Sequence, residues 1–172
     1  VILVTNDDGV HSPGLTSLFR AMETLGDAYV IAPDRERSAI SHALTMHRPL
    51  RLEQLKERIY SINGTPTDCV AVGINKILPA RRAFVVSGIV SAAIESTIMG
   101  IPAFAVSLVM QKQPSSHGNF ETAAEIAVEI GKYILEHSLP YDTLLNVNIP
   151  DVPRDSIKGY KLTRQGKRIY DD

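Results

Sequence analysis

The opening of the chain constrains its fold most, because an apolar run, a capped amphipathic segment and a second apolar run follow one another without interruption. Val1-Ile2-Leu3-Val4 reads as a buried strand that ends at Asn6 or Asp7. Ser12-Pro13-Gly14 reads as a helix start, with Ser12 as N-cap and Pro13 in the first helical position. Leu15, Leu18, Phe19, Met22 and Leu25 then recur at helical spacing, and Gly26 supplies the stop. A second strand, Ala28-Tyr29-Val30-Ile31-Ala32, ends at Pro33-Asp34. Strand, helix and strand in this order predict a parallel sheet, since parallel neighbours need a crossover connection. Open parallel sheets bind ligands beyond the carboxyl ends of their strands. Asp7, Asp8 and Asp34 all fall at such ends.

Asp7 and Asp8 are adjacent carboxylates, and burying two of them at a strand end is costly unless a cation lies between them. Side chains alternate along a strand, so the two converge on one ion only if the chain leaves extended geometry, which Gly9 permits. Asn-Asp-Asp-Gly is also an ordinary polar turn sequence. The local pattern leaves both readings open.

A chain of 172 residues, 44% of them hydrophobic, is long enough for one sizeable core and predicts a single domain. With 18 basic and 19 acidic residues the net charge is −1, so there is no global electrostatic footprint for a nucleic acid polymer or an acidic membrane. Arg35 and Arg37, and Arg164, Lys167 and Arg168, form local basic clusters that a solvated face explains. Cys69 is the one cysteine, so no internal disulfide forms and a reducing, cytoplasmic location is expected. Lying in an apolar helix, Cys69 reads as a buried structural thiol rather than a nucleophile. No run approaches membrane-spanning length. The five histidines show no metal-binding spacing, and no P-loop pattern occurs.

Further along, Ala43–Met46, Leu50–Leu52 and Ile59–Ile62 read as short strands of a small β excursion. Thr65-Pro66-Thr67-Asp68 carries the pattern of a capping box and starts a helix running to about Leu78. A strand at Ala83–Val86, a helix at Val90–Met99 and a strand at Ala103–Leu108 repeat the opening unit. A loop over residues 109 to 118, a helix at Phe120–Glu136 and a core strand at Leu144–Ile149 follow, with Tyr160–Thr163 as an edge strand. There are no internal repeats.

Five segments in this order carry a resemblance: Thr5-Asn6-Asp7-Asp8-Gly9-Val10, Ala32-Pro33-Asp34-Arg35-Glu36-Arg37-Ser38, Gly64-Thr65-Pro66-Thr67-Asp68-Cys69, Val85-Val86-Ser87-Gly88-Ile89 and Gly100-Ile101-Pro102-Ala103-Phe104-Ala105-Val106-Ser107. From Val1 to about Arg168 the chain resembles the SurE family, the survival protein E group of metal-dependent nucleotidases with acid phosphatase activity. The resemblance implies an α/β fold, a Rossmann-like three-layer sandwich around a mainly parallel sheet. It implies hydrolysis of nucleoside 5'- and 3'-monophosphates, with short polyphosphate as a further substrate. By carry-over, Asp7 and Asp8 match the acidic metal-binding pair, with a catalytic role, and Ser38 matches the hydroxyl ligand of one magnesium or manganese ion per subunit. Asn6 and Ser87 are candidates for contact with the phosphate, against turn-stabilising and helix-capping roles. The expected partners are nucleoside monophosphates and further copies of the chain, in a dimer or tetramer, with no nucleic acid polymer and no membrane.

The sequence departs from the family where Ile89 runs directly into Val90-Ser91-Ala92-Ala93. There the family carries more than a dozen further positions, including an asparagine ligand and a glycine-rich loop ending in Ser-Gly-Thr. The expectation is a single domain over residues 1–172 that lacks this loop after residue 89 and a C-terminal oligomerisation arm. Either the loop is truly absent, which leaves a non-catalytic nucleotide-binding or regulatory module as the alternative, or a mobile stretch has dropped out of the numbering. The fit of both flanks favours the second.

Overall fold

Alternation of side chains along the first strand, β1 (Ile2–Thr5), sets the layers of the molecule. In a computed structural model that describes residues 1–37, 42–79, 83–109 and 118–164, Ile2 and Val4 enter one hydrophobic cluster and Leu3 another on the opposite face. The first cluster is closed by α1 (Pro13–Met22) and α4 (Phe120–His137), and the second by α2 (Pro66–Val72) and α3 (Val90–Ile98). Both faces of the central strands are therefore dry, which is why their sequences are continuous apolar runs. The result is the α/β three-layer sandwich expected.

The remaining strands are β2 (Ala28–Pro33), β3 (Leu52–Lys56), β4 (Ile59–Ile62), β5 (Phe84–Ser87), β6 (Ala103–Val109) and β7 (Leu145–Pro150). The sheet runs β3-β4-β2-β1-β5-β6-β7. All neighbouring pairs are parallel except β3 with β4. That antiparallel hairpin is the small β excursion, turned at Arg58 with a positive φ of 61°. β1 lies between β2 and β5, where the chain changes the direction in which it adds strands, so its carboxyl end opens at the topological switch point.

The caps form as the sequence predicts. Ser12 Oγ accepts from the Leu15 amide at the start of α1, and Pro13 occupies the first turn. At α2, Thr65 Oγ1 accepts from the Asp68 amide at 3.1 Å while Asp68 Oδ2 accepts from the Thr65 amide at 2.8 Å. Beyond Val72 this helix widens into a π-helical turn over Gly73–Ile77.

Three strand expectations are corrected: the strand expected at Leu50–Leu52 begins only at Leu52, as β3, and two others are not strands. Ala43–Met46 is not a strand, because Thr45 turns its amide and hydroxyl to Asp68, at 2.8 and 2.6 Å, instead of to a neighbouring strand. The edge of the excursion is formed by Leu52–Lys56. Tyr160–Thr163 is also irregular, since Tyr160 donates its hydroxyl to Glu129 on α4 and leaves the sheet edge. The loop expected over residues 109 to 118 lies largely outside the described residues, with β6 reaching Val109. Among the described residues no helix is long and apolar enough to cross a membrane.

Candidate active site

Beyond Thr5 the chain leaves the sheet in a tight turn built around Asn6. Its side-chain amide donates to Gly9 O at 3.2 Å and to Ser12 Oγ at 2.7 Å, joining the strand end to the cap of α1. Both amide hydrogens are thus committed to the turn, while Asn6 Oδ1 is buried and meets no donor among the described residues. Gly9 has φ of 97°, and a Cβ there would stand 3.0 Å from the Arg35 carbonyl carbon. A side chain is excluded both by the backbone conformation and by the segment crossing above it.

That segment is the continuation of β2. Val10 donates its amide to Pro33 O at 2.9 Å, and Arg37 donates its amide to Asp7 O at 2.7 Å. On the other flank Gly88 donates to Thr5 O at 3.0 Å, which brings the end of β5 alongside. The turn presents Asp7, half-buried, and Asp8, exposed, between these two flanks.

The electrostatics at the pair are unfavourable in the absence of a cation. Burial, then the neighbouring Asp8 charge and, more weakly, Glu36 push Asp7 above the ordinary carboxylate range, against a lowering backbone hydrogen bond. Partial burial, then Glu36, pushes Asp8 in the same direction. Among the described residues no ion pair involves either carboxylate: the nearby Arg35 and Arg37 turn to Asp34, at 4.0 and 3.3 Å. No group of three or more His, Cys, Asp or Glu side chains able to hold a metal occurs among the described residues. The available donors are therefore a carboxylate pair with oxygen neighbours, a set that suits a hard cation keeping several waters and not zinc.

The other predicted site residues fall as follows. Ser38 lies outside the described residues, although its neighbour Arg37 is tied to Asp7. Ser87 is fully buried at the end of β5, and its Oγ accepts from the Ile89 amide at 3.0 Å, a local turn ahead of α3 and not a cap, since the N-cap of that helix is Ile89 and no side chain caps it among the described residues. The β5–α3 connection consists of Gly88 and Ile89 alone. Cys69 is fully buried, and burial pushes its thiol up, consistent with a structural role.

Asp7 and Asp8 line a cavity of about 560 Å³ at the strand ends, where the sequence predicts a ligand. It lies over the carboxyl ends of β1, β5 and β6, between the first turns of α1 and α4. Ser12, Ser107 and Phe120 join its wall from three separate elements. Only Ser12 carried a signal in the sequence, as an N-cap.

Comparison with known proteins agrees with this architecture. The family described as "Survival protein SurE" matches residues 2–89 and 80–172, two segments that meet around the β5–α3 connection. The protein named 5'-nucleotidase SurE from Pelobacter propionicus is 48% identical over 184 aligned residues, covering 98% of this chain and 73% of that one. Its namesake from Geotalea daltonii is 49% identical, covering 99% and 73%. The crystal structure of the SurE protein from Aquifex aeolicus superposes with a TM-score of 0.90 at 40% identity, covering 97% of this chain and 73% of that chain. With a family match over nearly every residue, relatives at close to half identity and the same fold, the chain belongs to the SurE family.

Proposed function

We propose that this chain is a nucleotidase, a phosphomonoester hydrolase that releases phosphate from nucleoside 5'-monophosphates, and that it works with a divalent cation held by Asp7 and Asp8. The nucleotidase reading is supported by relatives named 5'-nucleotidase SurE at close to half identity along the whole chain. One observation carries the metal reading: two adjacent carboxylates at the central strand end, both raised by burial and by like charge and neither paired with a cationic side chain among the described residues. Nucleoside 3'-monophosphates and short polyphosphate are included in the proposal, as is assembly of the chain with copies of itself. A cytoplasmic setting is supported by the free, buried Cys69.

Asp7 and Asp8 would hold the ion, with Ser38 as a third oxygen donor, and magnesium or manganese suits such a set. Such an ion, when bound, neutralises the charge that builds on the phosphoryl oxygens and brings water and phosphate together. The chain's own contribution is positional. Asn6 and Gly9 fix the turn so that Asp7 and Asp8 leave the strand together, and Arg37 pins the backbone of Asp7 from above. Asp8, the more open of the two, would orient an attacking water by accepting its hydrogen. Asn6 donates to a phosphate only if the turn releases its amide, so its first role here is to build the turn.

Hydrolysis of p-nitrophenyl phosphate by the purified chain tests this reading. Asp7→Asn and Asp8→Asn are each expected to abolish turnover with the far-UV spectrum unchanged, and chelation of divalent ions should do the same to the unaltered protein. Undiminished turnover in both variants would remove the carboxylates from the chemistry.

A further inference from the structure

We propose that the cavity between α1 and α4 seats the nucleoside half of the substrate, with Phe120 as the ring on which the base stacks. The inference rests on the nucleotidase reading and extends it from the phosphoryl group to the leaving group.

The cavity is two-sided. One end carries Asp7, Asp8, Asn6 and Ser107, while the body is walled by Leu15 and Leu18 of α1, Val106 and Leu108 of β6, and Phe120 and Ala123 of α4. Phosphate is charged and gains nothing from that apolar wall, where it would lose its hydration without compensation. An uncharged flat body gains from it. A volume of about 560 Å³ falls within the range of small-molecule sites, and an apolar lining with a few polar groups at one end is their usual composition. A phosphatase that reads only the phosphoryl group has no use for such a chamber directly behind its acids.

Phe120 sits at the start of α4, partly exposed, with its ring against the first turn of α1. A Cβ placed on Gly14 would lie 3.1 Å from two of the ring carbons, so the absence of a side chain at Gly14 is what lets the ring settle there. The ring therefore rests against the first turn of α1. Ala123, one turn along the same helix, and its neighbour Ala124 keep the space beside the ring open. Aromatic faces bind bases by stacking whatever the base, so this wall favours nucleosides as a class. At the polar end, among the described residues, Asn6 Oδ1 meets no donor and Ser107 Oγ makes one long contact of 3.4 Å with Gly88 O. Both suit ribose hydroxyls, which donate and accept.

The test compares adenosine 5'-monophosphate with glycerol 2-phosphate, which has no base, in the unaltered protein and in Phe120→Leu and Ala123→Leu. The first variant keeps apolar volume and removes the ring; the second fills the chamber. The unaltered protein should prefer the nucleotide in kcat/KM, and each variant should cut that preference at least tenfold through KM. In parallel, adenosine alone is titrated calorimetrically, and its heat of binding should vanish in Ala123→Leu. A preference unchanged in both variants, with hydrolysis intact, overturns the cavity assignment and leaves the nucleotidase reading standing. If no phosphomonoester is hydrolysed but adenosine binds and the variants abolish that binding, the function falls and the cavity assignment stands.

Discussion

At Asp7 and Asp8 the fold carries an electrostatic cost that a bound cation would remove. Both carboxyls lie above their ordinary value in the folded chain, so protonation stabilises the fold relative to the unfolded state. The cost is fully present at pH values above the raised folded values and is relieved as pH falls through them toward the ordinary carboxylate range. Metal-free Asp7→Asn should therefore melt at a higher temperature than the unaltered protein near neutral pH, with the gap closing as the solution is acidified. Calorimetric melting at several pH values with chelator present measures this; a variant less stable at neutral pH would show that Asp7 is satisfied without metal. Gly9 gives the opposite sign. Gly9→Ala places a Cβ 3.0 Å from the Arg35 backbone at a φ of 97°, so a loss of roughly 1–3 kcal/mol in chemical denaturation is expected. Turnover should fall with it, since the turn carries both acids. At this scale much was legible in the sequence, because acid pairs and turn glycines announce themselves locally. The roles of Asn6 and Ser87 were not, since each depended on whether its polar atoms were already engaged, by Gly9 and Ser12 in one case and by the Ile89 amide in the other.

Among the elements, α2 shows how a local signal acquires a distant partner. Its capping box was readable from Thr65 and Asp68, yet the same carboxylate also accepts from the amide and hydroxyl of Thr45, more than twenty residues earlier. Asp68 is 2% exposed, so removing it strands donors on two segments at once, the buried Thr65 amide and the part-buried amide and hydroxyl of Thr45. Asp68→Ala is expected to cost about 2–3 kcal/mol, beyond the ~1 kcal/mol typical of losing a cap. Thr65→Ala, which loses the cap and one bond to Ala43 O at 2.8 Å, should cost less, and equal midpoints for the two variants in urea would mean that the Thr45 contacts contribute no more than that one bond. The same competition explains the misplaced strand. Ala43–Met46 has the apolar and β-branched character of a strand, but Thr45 gives its hydrogen bonds to a carboxylate. β1, α1, β2 and α4 were readable because their periodicity alone commits them to one face. The short outer pieces lack that commitment, and Tyr160 settles on Glu129 instead of the sheet edge.

For the molecule as a whole, stability rests on two clusters that share one sheet. Phe104, fully buried on β6 and packed on Phe84 with ring centroids 5.4 Å apart, is a keystone of the first. Phe104→Ala should cost about 3–5 kcal/mol in equilibrium unfolding, and a cost under 1 kcal/mol would mean that the cluster collapses around the gap. The sequence by itself determined the alternation of strands and helices, the parallel sheet and the two acids beyond its first strand, because periodicity, caps and turn residues act between neighbours along the chain. Only the tertiary structure decided the order of the strands, which of the polar side chains already have partners, and the cavity in which residues from α1, β6 and α4 meet Asp7 and Asp8. Those depend on packing between segments a hundred residues apart, and no local preference encodes which apolar side chains will be left facing an open space.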